Sequence, residues 1–159
     1  MKTQQRKMIG HGAIVALIGL AAGFGLLMSL IGGIELIPGH IIAFDLPGDS
    51  RAWARAHAGG LMNGMLVFVG ALLIHNMRIA ERPAWHLNWM LVGTGSANTI
   101  FYWGGLFAPN HALTIADNRL GDANWAAVVG LVPAFVFAFV TMLAMLILAF
   151  QAFAASEQN

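Results

Sequence analysis

The amino-acid sequence predicts an all-α integral membrane protein, one domain over residues 1–159 with four transmembrane helices, and two observations carry that prediction. First, 58% of its 159 residues are apolar and only 9% are charged, against roughly a quarter charged in a water-soluble domain, whose surface needs them. Second, the charges leave long gaps. No acid or base lies between Lys7 and Glu35, Arg55 and Arg78, Arg82 and Asp117, or Asp122 and Glu157. Each gap accommodates the ~20 apolar residues with which a helix crosses a hydrocarbon core ~30 Å thick. Backbone amides in lipid are satisfied only in helices or closed barrels, and these runs are continuous where a barrel strand would alternate.

Helix one is predicted from about Met8 to Ile34. Its apolar run is longer than the ~7–15-residue core of a cleavable signal peptide, so the segment reads as a retained helix. Gly19, Gly23 and Gly25 offer a flat face on which another helix can pack. The loop IPGHIIAFDLPGDSRAWAR follows, where Pro38 and Pro47 break any helix; being partly apolar, it is expected to fold back onto the membrane surface. Helix two is predicted over about 52–75, and the basic turn NMRIAERPAW joins it to helix three over about 84–106. The loop FAPNHALTIADNRLGDAN leads to helix four over about 124–153, with Pro133 in its first third, a break that neighbouring helices can accommodate.

Trp53, Trp85, Trp89, Trp103 and Trp125 all fall near predicted helix ends, as aromatic belts at the headgroup level require. Lys2, Arg6, Lys7, Arg78 and Arg82 lie on one side of the membrane and Arg51, Arg55 and Arg119 on the other, which predicts cytoplasmic termini. A net charge of +1 from scattered bases leaves no footprint for nucleic acid. The absence of cysteine excludes disulfides, thiolate catalysis and cysteine-ligated metal centres.

Polar side chains within the spans are costly and need a partner or a purpose. Helix two opens with ARAHAGGLMNGM, placing His57 a few residues inside and Asn63 about two turns deep. His57 reads either as an interfacial histidine bonded to a carbonyl or as an axial ligand to a haem iron, for which neutral imidazole is well suited. Gly59, Gly60 and Gly64 would give a macrocycle a surface of small residues. Six residues place Asn63 about 120° around the helix from His57 at ~100° per residue, so the two should face different cavities, one belonging to the next subunit if the protein forms a ring. Arg51 and Arg55 either contact lipid headgroups or pair with haem propionates, which guanidinium suits.

Helix three carries Thr94, Asn98 and Tyr102 at i, i+4 and i+8, stacked on one face. The stripe reads either as hydrogen-bonding glue between helices or as the polar wall of a substrate pocket, its amide and phenol donating to an oxygen that becomes negative during reaction.

The segments RKMIGHG, IGGIELIPGHIIAFDLPG, WARAHAGGLMNGM, NTIFY, FAPNHALT and LVPAF resemble the styrene oxide isomerase family almost end to end. The resemblance implies an isomerase of the bacterial inner membrane, a homotrimer of four-helix subunits with ferric haem b at subunit interfaces and His57 as axial ligand of the iron. It implies that the iron acts as a Lewis acid on aryl epoxides such as styrene oxide, giving aryl acetaldehydes by the Meinwald rearrangement, downstream of a styrene monooxygenase. By the same pattern Asn63 and Tyr102 orient or polarise the epoxide and Asn98 supports their pocket. One departure stands out: where the family carries an aspartate in LDGWSN, this sequence reads VGTGSAN and puts Thr94 in its place. Threonine can bond but cannot carry charge. The competing functions are a haem protein for electron transfer or gas sensing without epoxide turnover, and a transporter or scaffold subunit in which the polar stripe only joins helices.

Overall fold

The computed structural model describes residues 3–156. Four long helices dominate: α1 (Thr3–Ile31), α2 (Ser50–Asn76), α3 (Glu81–Phe107) and α4 (Trp125–Ser156). Three of them, α1, α2 and α4, are long and apolar enough to cross a bilayer. The third helix, as long as α2, is less apolar because it carries Asn88, Thr94, Ser96, Asn98 and Thr99. Hydroxyls on this helix turn back on their own backbone: Ser96 donates to the Val92 carbonyl at 2.9 Å and Thr99 to Gly95 at 2.7 Å.

The all-α expectation needs one correction. Between α1 and α2 the chain forms an antiparallel hairpin of β1 (Gly33–Ile37) and β2 (His40–Ala43), pairing Gly33 with Ala43 and Ile37 with His40. Pro38 presets the first turn position and Gly39, at φ +82°, takes the second, the combination of a type II turn. The Glu35 carboxylate accepts from the Gly39 amide at 2.6 Å, and the β-branched isoleucines suit the strands. Leu36, Ile37, Ile41 and Ile42 remain exposed.

Asp49 caps α2 by accepting from the Ala52 amide at 2.7 Å. Asn124 does the same for the start of α4 through Ala127 at 3.2 Å, while its own amide donates to the Phe107 carbonyl at 2.8 Å and ties α4 to the end of α3. Pro133 lies inside α4, which runs on through it.

Two seams of small residues set the helix packing. Gly19 of α1 meets Gly60 of α2 so closely that a Cβ on Gly60 would lie 2.5 Å from the Gly19 Cα, and Gly64 sits against Ala16 and Gly12. On the other side, Gly104 of α3 meets Ala126 and Gly130 of α4. Small residues allow such approach where lipid offers no hydrophobic drive between helices. In backbone packing α1, α2 and α3 touch one another, whereas α4 lies against α3 alone. Side chains of α4 nevertheless join the common core, where Ala144 is fully buried in one cluster with Met8, Val67, Ala71 and Leu91, while the apolar stretch of α4 is 11% buried against 44% for α2.

The aromatic belt also needs correcting. Trp85, Trp89 and Trp125 are exposed as a belt demands, but Trp53 is 6% exposed. It packs edge-on against Trp103 at 5.8 Å, donates from Nε1 to the Pro47 carbonyl at 3.0 Å and lies over Gly25. Those two tryptophans centre a core with Ala22, Ala52, Ala56 and Leu106.

Candidate active site

His57 stands about two turns into α2, half-buried against α1. Its Nδ1 lies 2.9 Å from the Gly19 carbonyl. A carbonyl oxygen only accepts, so in the neutral ring Nδ1 carries the proton and Nε2 carries the lone pair. Histidines that ligate metals are set in this way, the far nitrogen fixed by a backbone carbonyl. Gly23 lies under the ring: a Cβ there would come within 2.8 Å of Nδ1. From the sequence Gly19 and Gly23 offer only a packing face; that both lie against His57 becomes visible only when α1 is docked.

Gly60 and Gly64 face α1, where Gly19, Ala16 and Gly12 fill the space above them. Their lack of a side chain is used by helix packing behind His57. Gly59 faces the other way, and a Cβ on it would overlap the Tyr102 ring.

Asn63 turns toward α3. Its Oδ1 accepts a long bond of 3.5 Å from the Asn98 amide, and its own Nδ2, inside a side chain only 7% exposed, has no partner among the described residues. His57 against α1 and Asn63 against α3 thus diverge as their spacing requires. Tyr102, on α3, rests its ring on Gly59, and its hydroxyl makes no protein hydrogen bond among the described residues.

The stripe on α3 meets two helices. Tyr102 faces α2, Asn98 stands between α2 and α4, bonding Asn63 of the one and lining a groove with Thr141 of the other, and Thr94, 1% exposed, lies 2.7 Å from both the Met90 carbonyl and the Thr141 hydroxyl of α4. The Thr141 hydroxyl also lies 2.6 Å from the Phe137 carbonyl; each hydroxyl has one proton, so the pair shares two protons among these three contacts. The sequence contained a signal for this partner: Thr141 is the one hydroxyl in the apolar stretch from Trp125 to Phe150.

Arg55 donates from Nη2 to Nδ1 of His111 at 3.2 Å. His111 belongs to the 108–124 loop and adopts φ +57°. That loop is organised by the fully buried Asn110, whose amide donates to the carbonyls of Thr114 at 2.8 Å and Ala116 at 3.2 Å. Arg51 is exposed and makes no hydrogen bond or ion pair among the described residues.

Fold and interior together describe a helical protein with three helices long and apolar enough to cross a membrane, whose interior polar groups are amides, hydroxyls and an imidazole. The family profile described as styrene oxide isomerase matches residues 4–153. A styrene-oxide isomerase of Pseudomonas fluorescens is 37% identical over 148 residues, covering 93% of this chain and 88% of the relative. The chain belongs to the styrene oxide isomerase family, and with it to the epoxide isomerases.

Proposed function

We propose that this chain converts aryl epoxides such as styrene oxide to aryl acetaldehydes, with haem b as its cofactor. The observation that carries the reading is the buried, unpaired Nδ2–H of Asn63 beside Asn98. An amide proton without an acceptor costs about 1–3 kcal/mol, and an epoxide oxygen supplies the missing acceptor.

The residues fit the cofactor. His57 presents Nε2 as a free lone pair, with Nδ1 fixed on Gly19. No group of three or more His, Asp or Glu is gathered to hold a bare ion among the described residues, so a metal held here would bring most of its own ligands. Arg51 and Arg55, exposed one helical turn apart near the start of α2, would take the propionates. When bound, ferric haem b supplies a Lewis acid for the epoxide oxygen.

The chain's own residues supply the rest. Asn63 and Tyr102 donate hydrogen bonds to the epoxide oxygen, and these strengthen as that oxygen gains charge. Asn98 holds the Asn63 carbonyl oxygen and so aims its amide. The benzylic C–O bond breaks, a hydride moves from the neighbouring carbon to the benzylic carbon, and the oxygen stays on the carbon that lost it as an aldehyde. Atoms and electrons balance without oxidant or reductant. Exclusion of water from the site keeps the cation from being trapped as a diol. Thr94, bonded to Met90 and Thr141, holds α4 on α3.

The proposal includes four crossings, with α3 as the fourth, in a bacterial inner membrane with cytoplasmic termini, and a homotrimer in which His57 and Asn63 serve different cavities. The substrate would come from a monooxygenase such as styrene monooxygenase. The test is anaerobic incubation of detergent-purified protein with styrene oxide and no reductant. Phenylacetaldehyde as sole product is expected; unchanged epoxide, or diol, overturns the reading.

A further inference from the structure

The outer face of α4 contains an open groove against α3 that the reaction as described does not use. It encloses about 690 Å³ and is lined by Asn98 of α3 and by Ala138, Thr141, Met142, Met145 and Ala149 of α4. The α4 positions recur at three- and four-residue spacing, one face of a helix. Ala138 and Ala149 leave depth at either end. The wall is almost wholly apolar, and its two polar side chains, Asn98 and Thr141, both lie on the face where α3 meets α4. Ligand sites have this composition, an apolar cleft of roughly 300–1,000 Å³ with a few polar groups that fix orientation.

We infer that this groove receives the aryl group of the epoxide and that Met142 and Met145 determine which aryl groups are accepted. The inference rests on the proposed epoxide isomerisation. Three observations support it. Asn98, which lines the groove, is also the residue that bonds Asn63, so a ring in the groove lies one side chain away from the Asn63 amide. The groove opens on a helix face that is largely uncovered within the chain itself, and an aryl epoxide is an apolar molecule suited to such a wall. Finally, Met142 and Met145 are exposed, and unbranched, polarizable methionines adapt to aromatic rings. The Thr141 hydroxyl is engaged by Phe137 and Thr94, so it anchors the floor and does not bind the ring.

Two measurements test this. In the first, Met145→Phe and Ala138→Leu, which narrow the groove, are assayed against styrene oxide and a bulkier naphthyl epoxide. The expected result is a fall in kcat/KM for the naphthyl substrate roughly 10-fold or more beyond that for styrene oxide, the scale of a methylene misfit in an apolar pocket, with haem absorbance unchanged. In the second, Ala149→Cys provides a unique thiol, since the chain has no cysteine. Maleimide labelling should slow when the unstrained ether 2-phenyltetrahydrofuran is added and not when decane is added. Equal protection by decane would mark a lipid-tail groove and overturn the inference. So would turnover of styrene oxide by the unsubstituted protein combined with unaltered selectivity in both variants, an outcome that leaves the isomerase reading standing. Absence of turnover by the unsubstituted protein removes the isomerase reading and this inference with it.

Discussion

The imidazole of His57 owes its place to an atom that is missing. Gly23 has no Cβ, and one placed there would lie 2.8 Å from Nδ1, pushing the ring off the Gly19 carbonyl that sets its tautomer. Gly23→Ala should therefore weaken haem binding roughly 10-fold or more, the usual cost of disturbing the group that orients a ligand. Reconstitution followed at the Soret band measures it, with circular dichroism showing the helices intact. His57→Ala should lose haem and activity together, and retention of both would exclude axial ligation by this residue. Tyr102→Phe keeps the ring on Gly59 and removes only the hydroxyl, so haem content should hold while kcat falls about 10²-fold, the cost of one transition-state donor. Thr94 tests the family's aspartate. A carboxylate at this position, 1% exposed and already bonded to Met90 and Thr141, would be buried against a carbonyl it cannot donate to. Thr94→Asp should lower the melting temperature without raising kcat/KM; a large gain in turnover would show that Thr94 belongs to the reacting site. At this scale the sequence allowed His57, Asn63, Asn98 and Tyr102 to be singled out, since each is a polar side chain in an apolar run. Spacing could not reveal that the stripe meets two helices, because positions four apart drift around the axis, so that Tyr102 meets α2, Thr94 meets α4 and Asn98 lies between them.

Between helices, the seam of α1 and α2 is backbone against backbone. Gly60→Leu must drive a side chain into the Gly19 Cα, and overpacking of this kind costs about 1–3 kcal/mol. Gly10 is the natural control, since a Cβ there meets nothing within 4 Å. Thermal melting in detergent should show Gly60→Leu destabilised and Gly10→Ala unchanged; equal behaviour would mean that the seam does not hold the pair together. The long helices were legible because charge is absent from the runs that form them. The hairpin was not, because its isoleucines prolong the apolar run of α1 past Ile31 and only the Pro38–Gly39 pair marks the reversal. Nor were the tryptophans: a position near a helix end puts Trp53 and Trp125 alike at a membrane boundary, and only the docking of α1, whose Gly25 makes room for the ring, turns Trp53 inward.

For the whole molecule, the question that organises everything else is whether α3 crosses the membrane. Its composition argues least for it among the four helices, yet its 27 residues at ~1.5 Å each give about 40 Å, more than a hydrocarbon core. The hydroxyls of Thr94, Ser96 and Thr99 are bonded to carbonyls one turn back, so they do not face lipid unsatisfied. It is also the helix that touches each of the other three, and α2, to which it is joined by a connection of four residues (77–80), is itself apolar enough to span. If α3 did not cross, residues 77–80 and the 108–124 loop would share one side of the membrane; if it does, they are opposed. The absence of cysteine makes the experiment direct. Ala80→Cys and Ala116→Cys, both exposed positions, are expressed in spheroplasts and treated with a membrane-impermeant maleimide. With cytoplasmic termini and four crossings, Ala116→Cys labels at once and Ala80→Cys only after permeabilisation. Labelling of both, or of neither, in intact spheroplasts would confine α3 to one side and remove the bilayer from around Asn98 and Tyr102. The reverse pattern would keep four crossings and invert the orientation, placing His57 near the cytoplasmic surface.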